Sequence, residues 1–158
     1  LYSSATGNTR LLADTIRAAL PPELCDAFGA VGETAAESEL LYIGFWTDKG
    51  NADADTLALL RTLKNKRLFL FGTAGFGVDT AYFDAILARV QAVPDGSNTV
   101  IGTYMCQGKM PLSVRQRYEG MKKQPIHLPN LDAMIENFDK ALSHPDADDL
   151  EQLKQAVR

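Results

Sequence analysis

The chain has 158 residues, of which 46% are hydrophobic and 23% charged, and this composition is typical of one soluble globular domain with a sizeable core. The formal net charge of −4 at pH 7 argues against general nucleic-acid binding, which requires a basic face. No apolar run approaches the roughly 18 residues that a membrane-spanning helix needs. We therefore expect a cytoplasmic protein that has neither a nucleic acid nor a membrane as its partner.

Cysteine and histidine do not follow a metal-binding pattern. Cys25 and Cys106 form no CxxC motif, and neither His127 nor His144 is close to a cysteine in sequence. We interpret the two cysteines as buried thiols of a reducing compartment. The sequence predicts no metal and no catalytic residue.

The chain opens on a loop between the end of a strand and the start of a helix. Its residues 4–9 read Ser-Ala-Thr-Gly-Asn-Thr. Free N–H groups and the positive dipole end of the helix favour an anion there, and the loop's hydroxyls add donors. Gly7 allows close approach of the backbone. The loop predicts a pocket for a phosphate monoester, and a Ser/Thr-rich turn with an ordinary helix cap is the alternative.

Known nucleotide loops do not match this stretch. A Walker loop requires a lysine after its second glycine, and a dinucleotide-binding turn requires three glycines, whereas Gly7 stands alone. Because Leu1-Tyr2-Ser3 reads as the tail of a strand, we expect a few apolar residues to precede Leu1 in the natural protein.

Strands and helices alternate along the rest of the chain. Pro21-Pro22 ends the first helix, and 24–28 is a weak strand candidate. Continuous apolar runs predict strands buried on both faces. Apolar spacing and capping residues predict the helices, including a capping box at Ser113 and Gln116. The predicted strands are 40–46, 68–71 and 99–105, and the predicted helices are 53–63 (beginning near Asp53 or Asp55), 83–90, 113–121, 131–142 and 146–157.

This alternation predicts a single α/β domain over residues 1–158. We expect a three-layer, doubly wound fold with a five-stranded parallel sheet in the order 2-1-3-4-5, a truncated first strand and an extra C-terminal helix over about 146–157. Ligands of such sheets bind beyond the carboxyl ends of the strands. The loops 4–9, 47–53, 72–79 and 106–110 all follow strands and should converge there.

The opening loop resembles the phosphate loop of flavodoxins, which cradles the phosphate of FMN. Residues 44–50, 106–111 and 144–150 are also similar to a bacterial branch of flavodoxin-domain proteins, one member of which accompanies bilirubin reductase in gut bacteria. The resemblance implies a flavoprotein that binds FMN and shuttles electrons between redox partner proteins. Its alternatives are an NAD(P)H-dependent flavin or quinone reductase on the same fold and a flavin-free interaction or receiver-type domain.

The resemblance also implies which loops contact the flavin ring. Trp46 and Phe76 would flank the ring, although both also suit ordinary core positions, and Gly50 would present C=O or N–H to the flavin nitrogen that gains a proton. Thr80 stands where flavodoxins usually carry a stacking tyrosine. The predicted cofactor-binding residues are Ser4, Ala5, Thr6, Gly7, Asn8, Thr9, Trp46, Thr47, Gly50, Thr73, Ala74, Gly75 and Phe76.

Two basic features complete the prediction. Lys49 lies in the second predicted flavin loop, where a cation favours the anionic reduced flavin and raises the potential of the second electron. The other feature is the basic segment, which we define as Lys109, Arg115, Arg117, Lys122 and Lys123. It suits either docking of an acidic redox partner or a solvated helix face.

Overall fold

The computed structural model describes residues 1–77 and 79–158. Four strands and six α-helices are formed, with one 3₁₀ turn at Pro22–Leu24, in this described part of the chain. The strands are β1 (Leu40–Asp48), β2 (Asn51–Ala52), β3 (Arg67–Ala74) and β4 (Thr99–Gln107). The helices are α1 (Asn8–Ala19), α2 (Ala54–Thr62), α3 (Thr80–Gln91), α4 (Leu112–Lys122), α5 (Leu131–Ala141) and α6 (Ala147–Val157). None of the described helices is long and apolar enough to span a membrane.

The sheet has the order β2-β1-β3-β4. β1, β3 and β4 are parallel, and β2 pairs with β1 as a short antiparallel strand. The predicted five-stranded parallel sheet is not confirmed, because the segment at Tyr2 makes only isolated parallel bridges to Ala30 and Gly44. The predicted strand at 24–28 is wrong. Leu24 ends the 3₁₀ turn Pro22–Leu24, residues 25–28 form no strand, and the segment bridges Tyr2 only at Ala30.

Helices cover both faces of the sheet. On one face, Leu12 and Ile16 of α1 and Leu153 of α6 pack against Phe69 and Phe71 of β3. The opposite face carries Phe45 and Leu70 with α2 and α3, whose buried members are Leu60, Ile86 and Val90. The predicted three-layer α/β architecture is therefore confirmed, because each strand alternates its apolar side chains between two helical layers.

Caps define where several helices begin. Asp53 caps α2 by accepting a hydrogen bond from the Thr56 N–H at 3.2 Å, which decides between the two predicted aspartates. Asp146 and Asp149 form a capping box at α6. The capping box predicted at Ser113 and Gln116 does not form, because α4 begins at Leu112 with Pro111 as its N-cap, which places Ser113 inside the helix.

Between β4 and α6 the chain inserts the pair α4 and α5, which we call the helical hairpin (residues 112–141). Arg115 of α4 pairs with Asp139 of α5, with 2.9 Å between Nε and Oδ1. Lys122 likewise pairs with Asp132 across the hairpin. These pairs join the two helices of the hairpin, which follows β4 after the loop 108–111.

Candidate functional site

Polar side chains join the loops at the carboxyl ends of the parallel strands. The Thr47 hydroxyl donates to the Thr73 carbonyl at 2.8 Å, linking the ends of β1 and β3. The Asn8 amide donates to the Lys109 carbonyl at 2.8 Å, linking the opening loop to the loop after β4. The structure thus brings the loops 4–9, 47–53, 73–77 and 107–110 together at one edge.

The opening loop turns into α1 at Gly7, whose φ of +91° lies in the left-handed region. The Ser4 hydroxyl oxygen accepts hydrogen bonds from the N–H groups of Gly7 at 3.1 Å and Arg10 at 3.3 Å. Within the described residues, the N–H groups of Ala5, Thr6, Asn8 and Thr9 have no hydrogen-bond partner. Such unpaired donors at a helix start favour an anion.

The Thr9 hydroxyl does not take part in this donor set. Thr9 is 1% exposed, and its hydroxyl donates to the Phe45 carbonyl at 3.0 Å and lies 3.2 Å from the Thr73 hydroxyl. The prediction that this hydroxyl faces a phosphate is therefore wrong, because it points into the sheet. Of Thr9, only the backbone N–H is free for an anion, whereas the Thr6 side chain is exposed at the loop.

Asn8 fixes the opening loop through its side chain. It is buried, and its amide reaches the Lys109 carbonyl. A Cβ added to Gly108 would lie 2.5 Å from the Asn8 amide nitrogen, so only glycine allows this close approach. The sequence predicted Asn8 as a cofactor residue, but it did not predict this role in joining two loops.

The second loop is a tight hairpin between β1 and β2. Its two turn residues, Lys49 and Gly50, both have positive φ, at +51° and +79°. The Gly50 carbonyl accepts a hydrogen bond from the Arg89 guanidinium at 2.6 Å and therefore points toward α3. Lys49 is exposed at the tip of the turn.

Trp46 lies at the end of β1, opposite Thr73 of β3. Alternation along β1 puts Trp46 on the same sheet face as Tyr42, which packs with α1. It is half-buried, and its backbone is fixed by Asp53, which accepts from the Trp46 N–H at 3.3 Å and donates to its carbonyl at 3.0 Å. The indole is thus on the side of the sheet from which α1 begins.

The third loop follows β3. The Ala74 carbonyl accepts from the Gly108 N–H at 2.9 Å. The Gly75 carbonyl accepts two hydrogen bonds, from the side-chain amides of Gln107 at 2.9 Å and Asn137 at 3.0 Å. Phe76 is half-buried beside them. Within the described residues, the N–H groups of Gly75 and Phe76 have no partner and can face a ligand.

Neither Gln107 nor Asn137 was predicted as a site residue. A signal for Asn137 was present, since it lies three residues after Met134 and four before Ala141, at the margin of the apolar side of α5. Nothing in the sequence indicated that its partner would be Gly75, 62 residues earlier.

Thiol chemistry has little support at this edge. Cys106 is 3% exposed, and burial, together with the nearby Asp149 carboxylate, raises the pKa of its thiol, so the thiol stays protonated at neutral pH. Burial likewise raises the pKa of the neighbouring Tyr104 hydroxyl, which donates to the Asp149 carbonyl at 2.7 Å. The interpretation of both cysteines as buried is wrong for Cys25, which is exposed.

His144, Asp146 and Asp149 form a cluster of possible metal ligands beside the loop after β4. Asp149 already accepts hydrogen bonds from the His144 Nδ1–H at 2.6 Å and the Asp146 N–H at 2.8 Å. The His144 carbonyl accepts from the Lys109 N–H at 2.9 Å. This cluster caps α6 and fixes it to the loop, so its geometry is explained without an ion.

A family model described as a flavodoxin domain matches residues 1–158. The chain belongs to the flavodoxin family. It is 40% identical to a flavodoxin-like domain-containing protein BilS of Clostridium symbiosum (strain WAL-14163), over 95% of this chain and 88% of that protein. The identity to a BilS protein of Clostridioides difficile (strain CD3) is 29%, with the same coverage.

A solved flavodoxin, the two-electron reduced protein of Megasphaera elsdenii, matches with a TM-score of 0.48 and 23% identity over 89% of this chain and 96% of that one. The family predicted from the sequence, with its bacterial flavodoxin-like branch, is therefore confirmed by the family match and the two relatives.

The cofactor that this family implies is FMN, and the residues present fit it. The unpaired N–H groups of the opening loop suit the phosphate, without a lysine or a metal ion in the loop. Trp46 and Phe76 are half-buried at the same edge and offer aromatic surface for a flat ring. The free N–H groups of Gly75 and Phe76 offer donors for its polar rim.

Proposed function

We propose that this protein is an FMN-binding electron carrier that transfers electrons between redox partner proteins. The observation that carries the proposal is the set of four unpaired N–H groups at Ala5, Thr6, Asn8 and Thr9, at the start of α1 and in a chain of the flavodoxin family. Bound FMN supplies the one-electron and two-electron chemistry, and the fold sets its potential and exposure.

Each predicted site residue has a role in this proposal. The loop 4–9 binds the phosphate, with backbone donors from Ala5, Thr6, Asn8 and Thr9 and hydroxyls from Ser4 and Thr6. Trp46 and Phe76 flank the ring, and Gly75 donates to its rim. The Thr47 hydroxyl joins the ends of β1 and β3 and the Thr73 hydroxyl joins β3 to Thr9 of α1, so both side chains bond within the protein rather than contacting FMN. Ala74 and Gly50 complete the two ring loops.

The basic segment is our proposed docking surface for an acidic redox partner. Arg115 and Lys122 are already paired within the helical hairpin. Lys109, Arg117 and Lys123 have no carboxylate within 4.0 Å among the described residues. These three cations are therefore available to a partner in a chain whose net charge is −4. Lys109 also borders the site, since its carbonyl binds Asn8.

The proposal also includes the strand order of the sheet and the compartment in which the protein acts. The isolated bridges of Tyr2 to Ala30 on one side and Gly44 on the other support the strand order 2-1-3-4-5, with the Ala30 segment outermost. A carrier of this kind would act in the cytoplasm, between a reductase and an oxidoreductase.

The test begins with the purified apoprotein and FMN. We expect binding, flavin absorption at about 450 nm, and reduction of the bound flavin by a separate NADPH-dependent flavoprotein reductase, with reoxidation by cytochrome c. Direct oxidation of NADH or NADPH by the FMN-loaded protein alone would instead support a reductase. Failure to bind FMN would contradict both and favour a flavin-free domain.

A further inference from the structure

The side-chain amides of Gln107 and Asn137 both end on one carbonyl. The Gly75 carbonyl accepts from Gln107 Nε2 at 2.9 Å and from Asn137 Nδ2 at 3.0 Å, and Gln107 Nε2 also donates to Asn137 Oδ1 at 3.1 Å. Asn137 is 8% exposed. Both lone pairs of the Gly75 carbonyl are thus used within the protein, so this carbonyl has no acceptor capacity left for a ligand.

Packing fixes the same loop from two further directions. A Cβ added to Gly75 would lie 2.6 Å from the Met110 sulfur, and one added to Gly77 would lie 3.1 Å from the Gln107 side chain. The loop 74–77 is therefore enclosed by the loop after β4 and by α5 of the helical hairpin.

We propose that Asn137 is a positioning residue for the flavin ring, and that through it the helical hairpin holds the loop 74–77 in the orientation that binds FMN. By holding the Gly75 carbonyl, Asn137 fixes the Gly75–Phe76 peptide, whose Phe76 N–H lies on the opposite side from that carbonyl and has no partner among the described residues. This inference rests on the proposed function, since it assigns a role at the same FMN site. It also extends that site to a helix outside the strand-end loops.

The helical hairpin also carries part of the basic segment. Arg117 and Lys123 of the basic segment lie on or directly after α4, and α4 is joined to α5 by the Arg115–Asp139 pair. A partner bound there contacts the element that holds the ring loop. The hairpin therefore connects the docking surface to the flavin, through Asn137 and the Gly75 carbonyl.

The test uses three full-length variants. Asn137→Leu keeps a similar side-chain volume but removes both hydrogen bonds of the Asn137 amide, to the Gly75 carbonyl and from Gln107. Asn137→Asp keeps the side-chain shape and an acceptor for Gln107, but its carboxylate cannot donate to the Gly75 carbonyl. Asn130→Leu is the matched control, because Asn130 lies exposed at the start of the same helix and makes no side-chain capping bond. The FMN and inorganic phosphate affinities are measured for each apoprotein, together with amide hydrogen exchange of residues 74–77.

We expect Asn137→Leu and Asn137→Asp to bind FMN about tenfold more weakly, the effect of losing one or two hydrogen bonds to a buried carbonyl. Phosphate affinity should stay unchanged, because the opening loop is held by Asn8 and Ser4. Exchange of residues 74–77 in the apoprotein should rise about tenfold. Asn130→Leu should match the wild type in all three measurements.

Equal losses of FMN and phosphate affinity would overturn the proposal, because they would indicate general loosening of the fold. Unchanged exchange at residues 74–77 would overturn it as well, since the loop would then not depend on Asn137. If wild-type apoprotein binds phosphate but not FMN, the proposed function fails, whereas the exchange result still decides whether Asn137 holds the loop.

Discussion

Replacing Gly108 with alanine should separate the phosphate loop from the loop after β4. Gly108 has no positive φ, so its backbone accepts alanine without strain. The new Cβ would lie 2.5 Å from the Asn8 amide nitrogen and 2.9 Å from its Cγ. Asn8 must therefore move and give up its 2.8 Å bond to the Lys109 carbonyl.

The size of this effect follows from two contributions. Overpacking in a closely packed region costs about 1–3 kcal/mol. Losing the hydrogen bond of a buried amide costs about 1–3 kcal/mol. The two costs overlap in part, because the same movement of Asn8 relieves the clash and breaks the hydrogen bond. We expect Gly108→Ala to lower the free energy of unfolding by about 2–4 kcal/mol. We also expect weaker FMN binding, since Asn8 contributes a backbone N–H to the phosphate pocket.

Urea unfolding of the apoprotein and fluorescence titration with FMN measure the two quantities. Gly120→Ala is the matched control, because Gly120 lies in α4 with nothing within 4 Å of an added Cβ. It should raise stability by about 0.5–1 kcal/mol, as expected for glycine to alanine in a helix. In an Asn8→Ala background the cost of Gly108→Ala should fall, because the clashing amide is gone. Equal stability of the two glycine variants would refute the reasoning.

Three further predictions concern Thr9, Lys49 and Cys106. Thr9→Val should lower the free energy of unfolding of the apoprotein in urea by about 1–3 kcal/mol, because the buried Phe45 carbonyl loses its donor. Thr6→Val is the control and should leave stability unchanged, because Thr6 is exposed. Equal stability of the two variants would contradict the Thr9–Phe45 hydrogen bond. Lys49→Ala should lower the reduction potential of the second electron by on the order of 20 mV, since a cation near the reduced flavin stabilises its negative charge. Potentiometry measures the shift, with Lys154→Ala as the control. An unchanged potential in Lys49→Ala would contradict this role of Lys49. Burial raises the pKa of the Cys106 thiol in the folded state. The buried neutral thiol therefore contributes its full stabilisation below about pH 8.5, the ordinary thiol pKa, and this stabilisation is lost as pH rises above that value. Cys106→Ala should therefore flatten the fall in unfolding free energy above about pH 8.5, and an unchanged slope in urea unfolding at several pH values would speak against the buried thiol.

The parts of the fold that depend on local patterns could be predicted from the sequence. Continuous apolar runs located β1 and β3, because a strand buried on both faces has no polar side. The run at 99–105 also located β4, although within this strand only Met105 and Cys106 are buried. Asp53 and Asp55 before an apolar helical pattern indicated the region where α2 begins, and the structure has Asp53 as the cap. The opening loop and the start of α1 could be predicted because hydroxyl residues and one glycine precede a helical pattern, whereas anion binding by this loop stays a prediction.

The parts that depend on long-range contacts could not be predicted. Whether the Thr9 hydroxyl faces the ligand or the sheet depends on the Phe45 carbonyl, 36 residues away. The role of Asn137 depends on α5 packing against the loop after β3, which no local pattern contains. The predicted strand at 24–28 failed for a related reason, since a short weakly apolar segment becomes a strand only where a neighbour pairs with it, and the pairing occurs at Ala30.

The most direct test of the central claim, that the opening loop is a phosphate pocket for FMN, is a titration of the wild-type apoprotein with FMN and with riboflavin. The two ligands share the ring and differ in the phosphate. Charge-assisted hydrogen bonds contribute about 1.5–3 kcal/mol each, so contacts to two or more of the four unpaired N–H groups predict FMN binding at least about a hundredfold tighter than riboflavin. Equal affinities for FMN and riboflavin would contradict the account.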